Sequence, residues 1–218
     1  MNNLFPIFLK LNNEDLHTLI VGGGYVGLEK ITAVLDNAPE ATITLVAPEI
    51  RDEIRTIASE KPRVTLIERR FEDYDLDEKD LVIVATNDKE ENKRIKAVAR
   101  SRHILANVAD TPDYCDFYLS SVVKKGNLKV AISTNGMSPT LAKRLREVLT
   151  EALPDDLETA MQQLREVREL LRGDFAYKVE ELNRITEVLV SKGEKAAGGA
   201  TVAAAPPAAA EESRKGEE

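Results

Sequence analysis

Between residues 17 and 108 the chain alternates short apolar runs with longer amphipathic stretches. His17-Thr18-Leu19-Ile20-Val21, Ile43 to Val46, Val64 to Ile67, Asp80-Leu81-Val82-Ile83-Val84-Ala85 and Ile104 to Val108 read as strands. The runs at 17–21 and 80–85 lack polar alternation, the pattern of strands covered on both faces. Leu28 to Asp36, Glu49 to Glu60 and Lys89 to Ser101 read as helices, and Pro48 stops the strand before it. Strands alternating with helices predict right-handed βαβ crossovers and a parallel sheet. Ile7 to Leu11 reads as one more short strand, ahead of the polar turn Asn12 to Asp15. Residues 1–112 are therefore expected to form one α/β domain.

The pattern then changes. Phe117 to Val123 and Leu128 to Ser133 read as strands, with Gly126-Asn127 as a hairpin turn and Asn135-Gly136 as a second turn. Ser138 suits an N-cap and Pro139 the first position of a helix running to about Ala152. Pro154 opens another helix, with Leu157, Met161, Leu164 and Leu171 on one face, and Phe175 to Val190 a third, striped by Val179, Leu182, Ile185 and Leu189. From Gly193 the chain has almost no large apolar residue and cannot offset its ordering entropy, so residues 193–218 are expected to be disordered. The expected divisions are 1–112, a small α+β region at 113–150, a helical domain at 151–192 and the tail.

Composition narrows the function classes. At 218 residues and 43% hydrophobic, the chain has enough apolar surface for one core plus a smaller partner. No run of 18 apolar residues predicts a membrane span, and the N-terminus lacks the pattern of a secretory leader. The single cysteine, Cys115, fits a reducing cytoplasm and reads as a buried small residue. With His17 and His103 the only histidines, no resident metal site is expected. A net charge of −8 argues against nucleic acid as the main partner.

The candidate chemistry lies in Gly22-Gly23-Gly24-Tyr25-Val26-Gly27, placed after a buried strand and before a helix, the dinucleotide-binding arrangement of a Rossmann-type domain. Gly22 serves the tight turn, Gly24 the approach of a pyrophosphate to bare backbone, and Gly27 the packing of helix on strand. The helix start then offers N–H groups to the anion. No Asp or Glu closes the second strand. Pro48 and Glu49 stand there instead, with Arg51 close by, and Glu49 as ribose partner favours NAD over NADP. Thr86 and Asp88 follow the strand at 80–85 and border the same crevice, although Asp88 equally reads as an N-cap. Asn107, near the end of the next strand, is a further candidate cofactor contact.

Taken in order, Phe5-Pro6-Ile7-Phe8-Leu9, Leu81 to Asp88, Asn107-Val108-Ala109-Asp110, Cys115-Asp116-Phe117 and Ala131 to Pro139 resemble the precorrin-2 dehydrogenase family, the dehydrogenase–ferrochelatase module of siroheme synthases. The likeness covers about residues 4–149. It implies a homodimer with a Rossmann domain, a central dimerisation region and a small helical C-terminal domain. It implies NAD-dependent oxidation of precorrin-2 to sirohydrochlorin. Some members then insert ferrous iron as a substrate, a lyase activity. The family's key acid falls on Asp110, which by its residues alone also reads as a turn acid before Thr111-Pro112. Cofactor contacts fall on Gly22 to Val26, Pro48 and Glu49. A serine phosphorylated in one bacterial branch matches Thr134.

A tetrapyrrole with eight carboxylates calls for cations and backbone donors, so Lys124, Ser133, Thr134 and Ser138 are the candidate substrate contacts. Lys125, Lys129, Lys143, Arg144 and Arg146 could add charge. Lys124 and Lys125 also read as a solvated hairpin tip, and His103 as structural or exposed. Two other readings stand beside the enzyme: a nucleotide-sensing Rossmann module that regulates a partner, and an unrelated small-molecule dehydrogenase. The sensor needs no segment like Asn135 to Pro139.

Overall fold

The structure is a computed structural model and describes residues 4–11, 15–155, 157–170 and 175–191. The tail expected at 193–218, Leu171, and the side chains of Ile185 and Leu189 lie outside the described residues.

Five strands, β1 (His17–Val21), β2 (Thr42–Ala47), β3 (Val64–Glu68), β4 (Leu81–Val84) and β5 (Leu105–Val108), form one sheet in the order β3-β2-β1-β4-β5. All four neighbouring pairs are parallel, with Leu19 opposite both Thr44 and Val82. Helices α1 (Tyr25–Asn37), α2 (Asp52–Glu60) and α3 (Lys89–Ser101) make crossovers between them. This is the Rossmann-type architecture. The strand order reverses between β1 and β4, so a crevice opens outside their carboxyl ends.

Both faces of the sheet are covered, which is why β1 and β4 read as unbroken apolar runs. Successive side chains of β1 enter different cores: Ile20 joins Ile31, Leu45 and Ile54, while Leu19 and Val21 join Val82, Val84 and Ile95. Each such side chain, removed from water, contributes roughly 1.5–3 kcal/mol.

Helix ends follow local chemistry. Asp88 caps α3, its carboxylate accepting from the backbone N–H groups of Glu90 and Glu91 at 3.0 Å. At the other end His103 takes φ +59°, and the Ile104 N–H closes on the Ala99 carbonyl at 2.9 Å, so His103 has a structural place. Helix α1 starts at Tyr25, earlier than Leu28, because the glycine loop feeds straight into its first turn, the Leu28 N–H reaching the Gly24 carbonyl at 2.9 Å. Helix α2 starts at Asp52, later than Glu49, because residues 48–51 run across the glycine loop, the Arg51 N–H donating to the Gly23 carbonyl at 3.1 Å.

Two expectations for strands are corrected. Residues 7–10 are irregular, with Ile7, Phe8 and Leu9 exposed, because an apolar run forms a strand only where a sheet edge pairs with it, and here none does. The strand expected from Phe117 starts instead at Ser121. The Asn107 amide, donating to the Phe117 carbonyl at 2.9 Å, holds that residue against the sheet domain. The hairpin is β6 (Ser121–Lys125) with β7 (Leu128–Ile132), turned at Gly126 with φ +55°.

The chain divides into two compact units: residues 1–122 with 130–147, and residues 123–129 with 148–218. Helix α4 (Pro139–Ala152) begins after Ser138, whose Oγ accepts from the Leu141 N–H at 3.1 Å. In the second unit, α5 (Leu157–Leu170) turns half-buried Leu157, Met161, Leu164 and Val167 inward, and α6 (Phe175–Ser191) packs with it. Glu158 accepts from the Asn127 N–H and side-chain amide, at 2.5 and 2.6 Å. Among the described residues no helix is long and apolar enough to cross a membrane.

Candidate functional site

The glycine loop is shaped by what lies against it. Gly22 adopts φ +120°, and a Cβ there would lie 2.3 Å from the Ala85 carbonyl oxygen. Cβ atoms at Gly23 and Gly27 would collide with the backbone of Glu49 and of Gly22. Gly24 differs: a Cβ there would meet nothing within 4 Å. Among the described residues no packing asks for glycine at that position. The open space faces the first turn of α1, which has no capping side chain and no acidic residue. Uncapped N–H groups at the positive end of a helix, in front of bare backbone, fit a pyrophosphate.

These residues form one wall of a cleft of about 900 Å³ at the carboxyl ends of β1, β2 and β4. Gly22, Gly23, Gly24, Tyr25 and Val26 line it with Pro48, Glu49, Thr86 and Asp88, so nine of the eleven candidate cofactor residues meet in one place. The other two sit behind it. Gly27 is buried where α1 touches the loop, and Asn107 is buried with its amide turned to Phe117. Asp88 is both a lining residue and a helix cap. Thr86 is held by Asn92, whose amide donates to the Thr86 carbonyl at 3.1 Å.

Of the cationic part of the lining, sequence reasoning noted only Arg51. Arg51, Arg70 and Arg94 border the cleft together with Phe71. The Arg51 guanidinium lies 3.7 Å over the Tyr25 ring and pairs with Glu53 at 2.6 Å, while its Nε is buried without a hydrogen-bond partner. Arg94 is held by Glu91 at 2.8 Å and by Asp73. The connection carrying Arg70 and Phe71 is stiffened by Arg69, which grips Asp75 with two hydrogen bonds of 2.6 and 2.8 Å. Burial alone would push the Asp75 carboxyl up, but the Arg69 fork and the Glu72 N–H outweigh it and hold the group below the usual carboxylate range. Arginines scattered over three connections carry no local signature, so only the fold assembles them.

Asp110 lies two residues beyond β5, exposed, with φ +58° in a turn closed by the Thr111 N–H on the Val108 carbonyl. Asp is among the residues that tolerate this conformation. Its segment is fastened from below: the Cys115 Sγ contacts the Val108 N–H and carbonyl at 3.3 and 3.2 Å, and Asp116 accepts from the Ala106 N–H at 2.9 Å. Burial pushes the Cys115 thiol up, which keeps it protonated and unreactive. Of the candidate substrate residues, Ser133, Thr134 and Ser138 fall in one turn, where the Thr134 Oγ1 accepts from the Ser138 N–H at 3.0 Å. Lys124 is exposed in the second unit.

Comparison with known proteins agrees with this geometry. Residues 7–121 match a family model described as NAD(P)-binding, and residues 125–152 match one described as a sirohaem biosynthesis protein central segment. The siroheme synthase of Pseudoalteromonas atlantica is 36% identical over 171 residues, covering 78% of this chain and 36% of that protein. That of Pseudoalteromonas translucida is 40% identical over 152 residues, covering 70% and 31%. The chain thus spans about a third of the length of these relatives. A solved structure titled SirC, precorrin-2 dehydrogenase, superposes with a TM-score of 0.68 at 29% identity, covering 84% of this chain and 89% of that one.

Proposed function

The chain belongs to the NAD(P)-binding family matched over residues 7–121, and from that premise we propose that it oxidises precorrin-2 to sirohydrochlorin with NAD in siroheme biosynthesis. The carrying observation is the open cradle at Gly24, beside an uncapped helix start, in a chain whose next segment matches a sirohaem biosynthesis model. The relatives named siroheme synthase and the 29%-identical precorrin-2 dehydrogenase structure supply the substrate class.

The nicotinamide ring, when bound, supplies the acceptor for the hydride leaving a macrocycle carbon. The chain does the rest. When the dinucleotide is bound, the N–H groups of Gly24 to Val26 would hold its pyrophosphate, and Glu49 would accept from the ribose hydroxyls. Asp110, on the turn after β5, takes the proton that the macrocycle loses as its new double bond forms. Ser133, Thr134, Ser138 and Lys124 receive the substrate's carboxylates. The product is also a candidate for insertion of ferrous iron as a second substrate, with Asp110 accepting the pyrrole protons. The protein acts in the cytoplasm, in keeping with its lone cysteine. It works as a homodimer, in keeping with exposed Leu141 and Leu145 on α4 and Met137 before it.

Incubation with precorrin-2 and NAD, followed by absorption of sirohydrochlorin and NADH, tests this directly. Turnover is expected, with a loss of at least about 100-fold in Asp110→Ala while NAD binding persists. Normal turnover by that variant overturns the role of Asp110; no turnover by the unaltered chain overturns the dehydrogenase reading. Light scattering at micromolar concentration should give twice the chain mass.

A further inference from the structure

The residues just beyond β2 hold a second piece of information. In dinucleotide folds the end of the second strand meets the adenosine ribose, where NAD presents a free 2′-hydroxyl and NADP a 2′-phosphate. A carboxylate there accepts from the hydroxyls, whereas an arginine fork receives the phosphate. This chain has both types, Glu49 and Arg51, on the wall of the cleft.

Arg51 alone would argue for the phosphate, but its guanidinium is held in place. Its guanidinium face lies on Tyr25 at 3.7 Å, its Nε is buried, and one terminal nitrogen is held by Glu53 at 2.6 Å. The pair is partly exposed, with 28% of the Arg51 side chain and 53% of the Glu53 side chain accessible. Solvent therefore weakens their attraction without removing the local charge balance. A 2′-phosphate of charge about −2 would meet Glu49 on the cleft wall and a cation already paired with Glu53.

We propose that Glu53, by clamping Arg51 on the Tyr25 ring, is the residue that makes this cleft select the dinucleotide without a 2′-phosphate. It is a positioning residue, acting through Arg51. The inference rests on the dehydrogenase reading above in one respect only, that the cleft binds a nicotinamide dinucleotide.

Calorimetric titration of the full chain with NAD and with NADP tests it, in the unaltered protein, Glu53→Gln, Arg51→Gln and the double variant. The unaltered chain is expected to prefer NAD. Glu53→Gln should raise the NADP-to-NAD affinity ratio about tenfold by freeing a charge-assisted donor on Arg51. In the Arg51→Gln background the same change should move the ratio less than about twofold. An unaltered ratio in Glu53→Gln, a gain that survives without Arg51, or an NADP preference in the unaltered chain each overturns the proposal. Binding of neither dinucleotide by the unaltered chain is a different outcome: it removes the cofactor reading itself, and this proposal with it.

Discussion

In β1 every residue after His17 is buried, and in β4 all four are, whereas the hairpin β6–β7 buries only Val123. The two regions also hold their shape differently. The sheet is fixed by apolar contacts on both faces, so its carboxyl ends form a stiff rim. The hairpin and the start of α4 are fixed by polar links: Ser138 to Leu141 and Thr134 to Ser138 within one turn, and Asn127 to Glu158 across 31 residues of chain. A rigid rim suits a cofactor whose phosphates need preset donors. Half-covered elements with exposed Met137, Leu141 and Leu145 suit surfaces completed by another molecule.

The contrast can be broken most sharply inside the sheet. Ile83→Ala should cost about 3–4 kcal/mol in urea unfolding, because both faces around it are packed and the cavity cannot collapse. Leu145→Ala, on the exposed side of α4, should change unfolding by less than about 0.5 kcal/mol while weakening self-association. Equal costs at the two positions would erase the distinction.

Gly24→Val comes next. Its side chain enters open space, so the fold should persist, but NAD affinity should drop about 100-fold as the branched group fills the anion cradle. Asp75→Asn should destabilise by about 2 kcal/mol, since it removes the charge of a largely buried carboxylate while leaving its partners, the Arg69 guanidinium and the Glu72 N–H, in place.

The smallest effect concerns His17, at the opposite end of β1 from the cleft. Burial, with the charge of Lys79 adding to it and those of Asp80 and Glu78 opposing it, depresses its pKa below the ordinary value, and its Nε2 pairs with the Thr44 hydroxyl at 2.9 Å. The neutral form is thus the one the fold prefers. Its contribution is complete above the unfolded value near 6.5 and is lost as pH falls through the lower, folded value. Stability measured from pH 7.5 to pH 5 should fall less steeply in His17→Gln than in the unaltered protein.

Much of the sheet domain was legible along the chain because its signals are local. Apolar runs without alternation mark doubly covered strands, and α3 was read at both its ends, Lys89 and Ser101. The glycine spacing located the loop that lines the cleft for the same reason, although what lies against Gly22 and Gly23, Ala85 and Glu49, comes from distant parts of the chain. Legibility failed where pairing decided the outcome. Ile7 to Leu9 is apolar enough for a strand yet has no strand beside it, and Phe117 is drawn to the sheet by Asn107, ten residues earlier.

By itself, then, the sequence determined the strands and helices of residues 17–108, the parallel sheet and the place of the glycine loop, since steric freedom and hydrophobic periodicity are properties of neighbours along the chain. Only the tertiary structure decided which cations border the cleft and how Arg51 is committed. Those arrangements bring residues from separate connections together, and Coulombic and stacking contacts depend on distances in space that sequence separation does not encode.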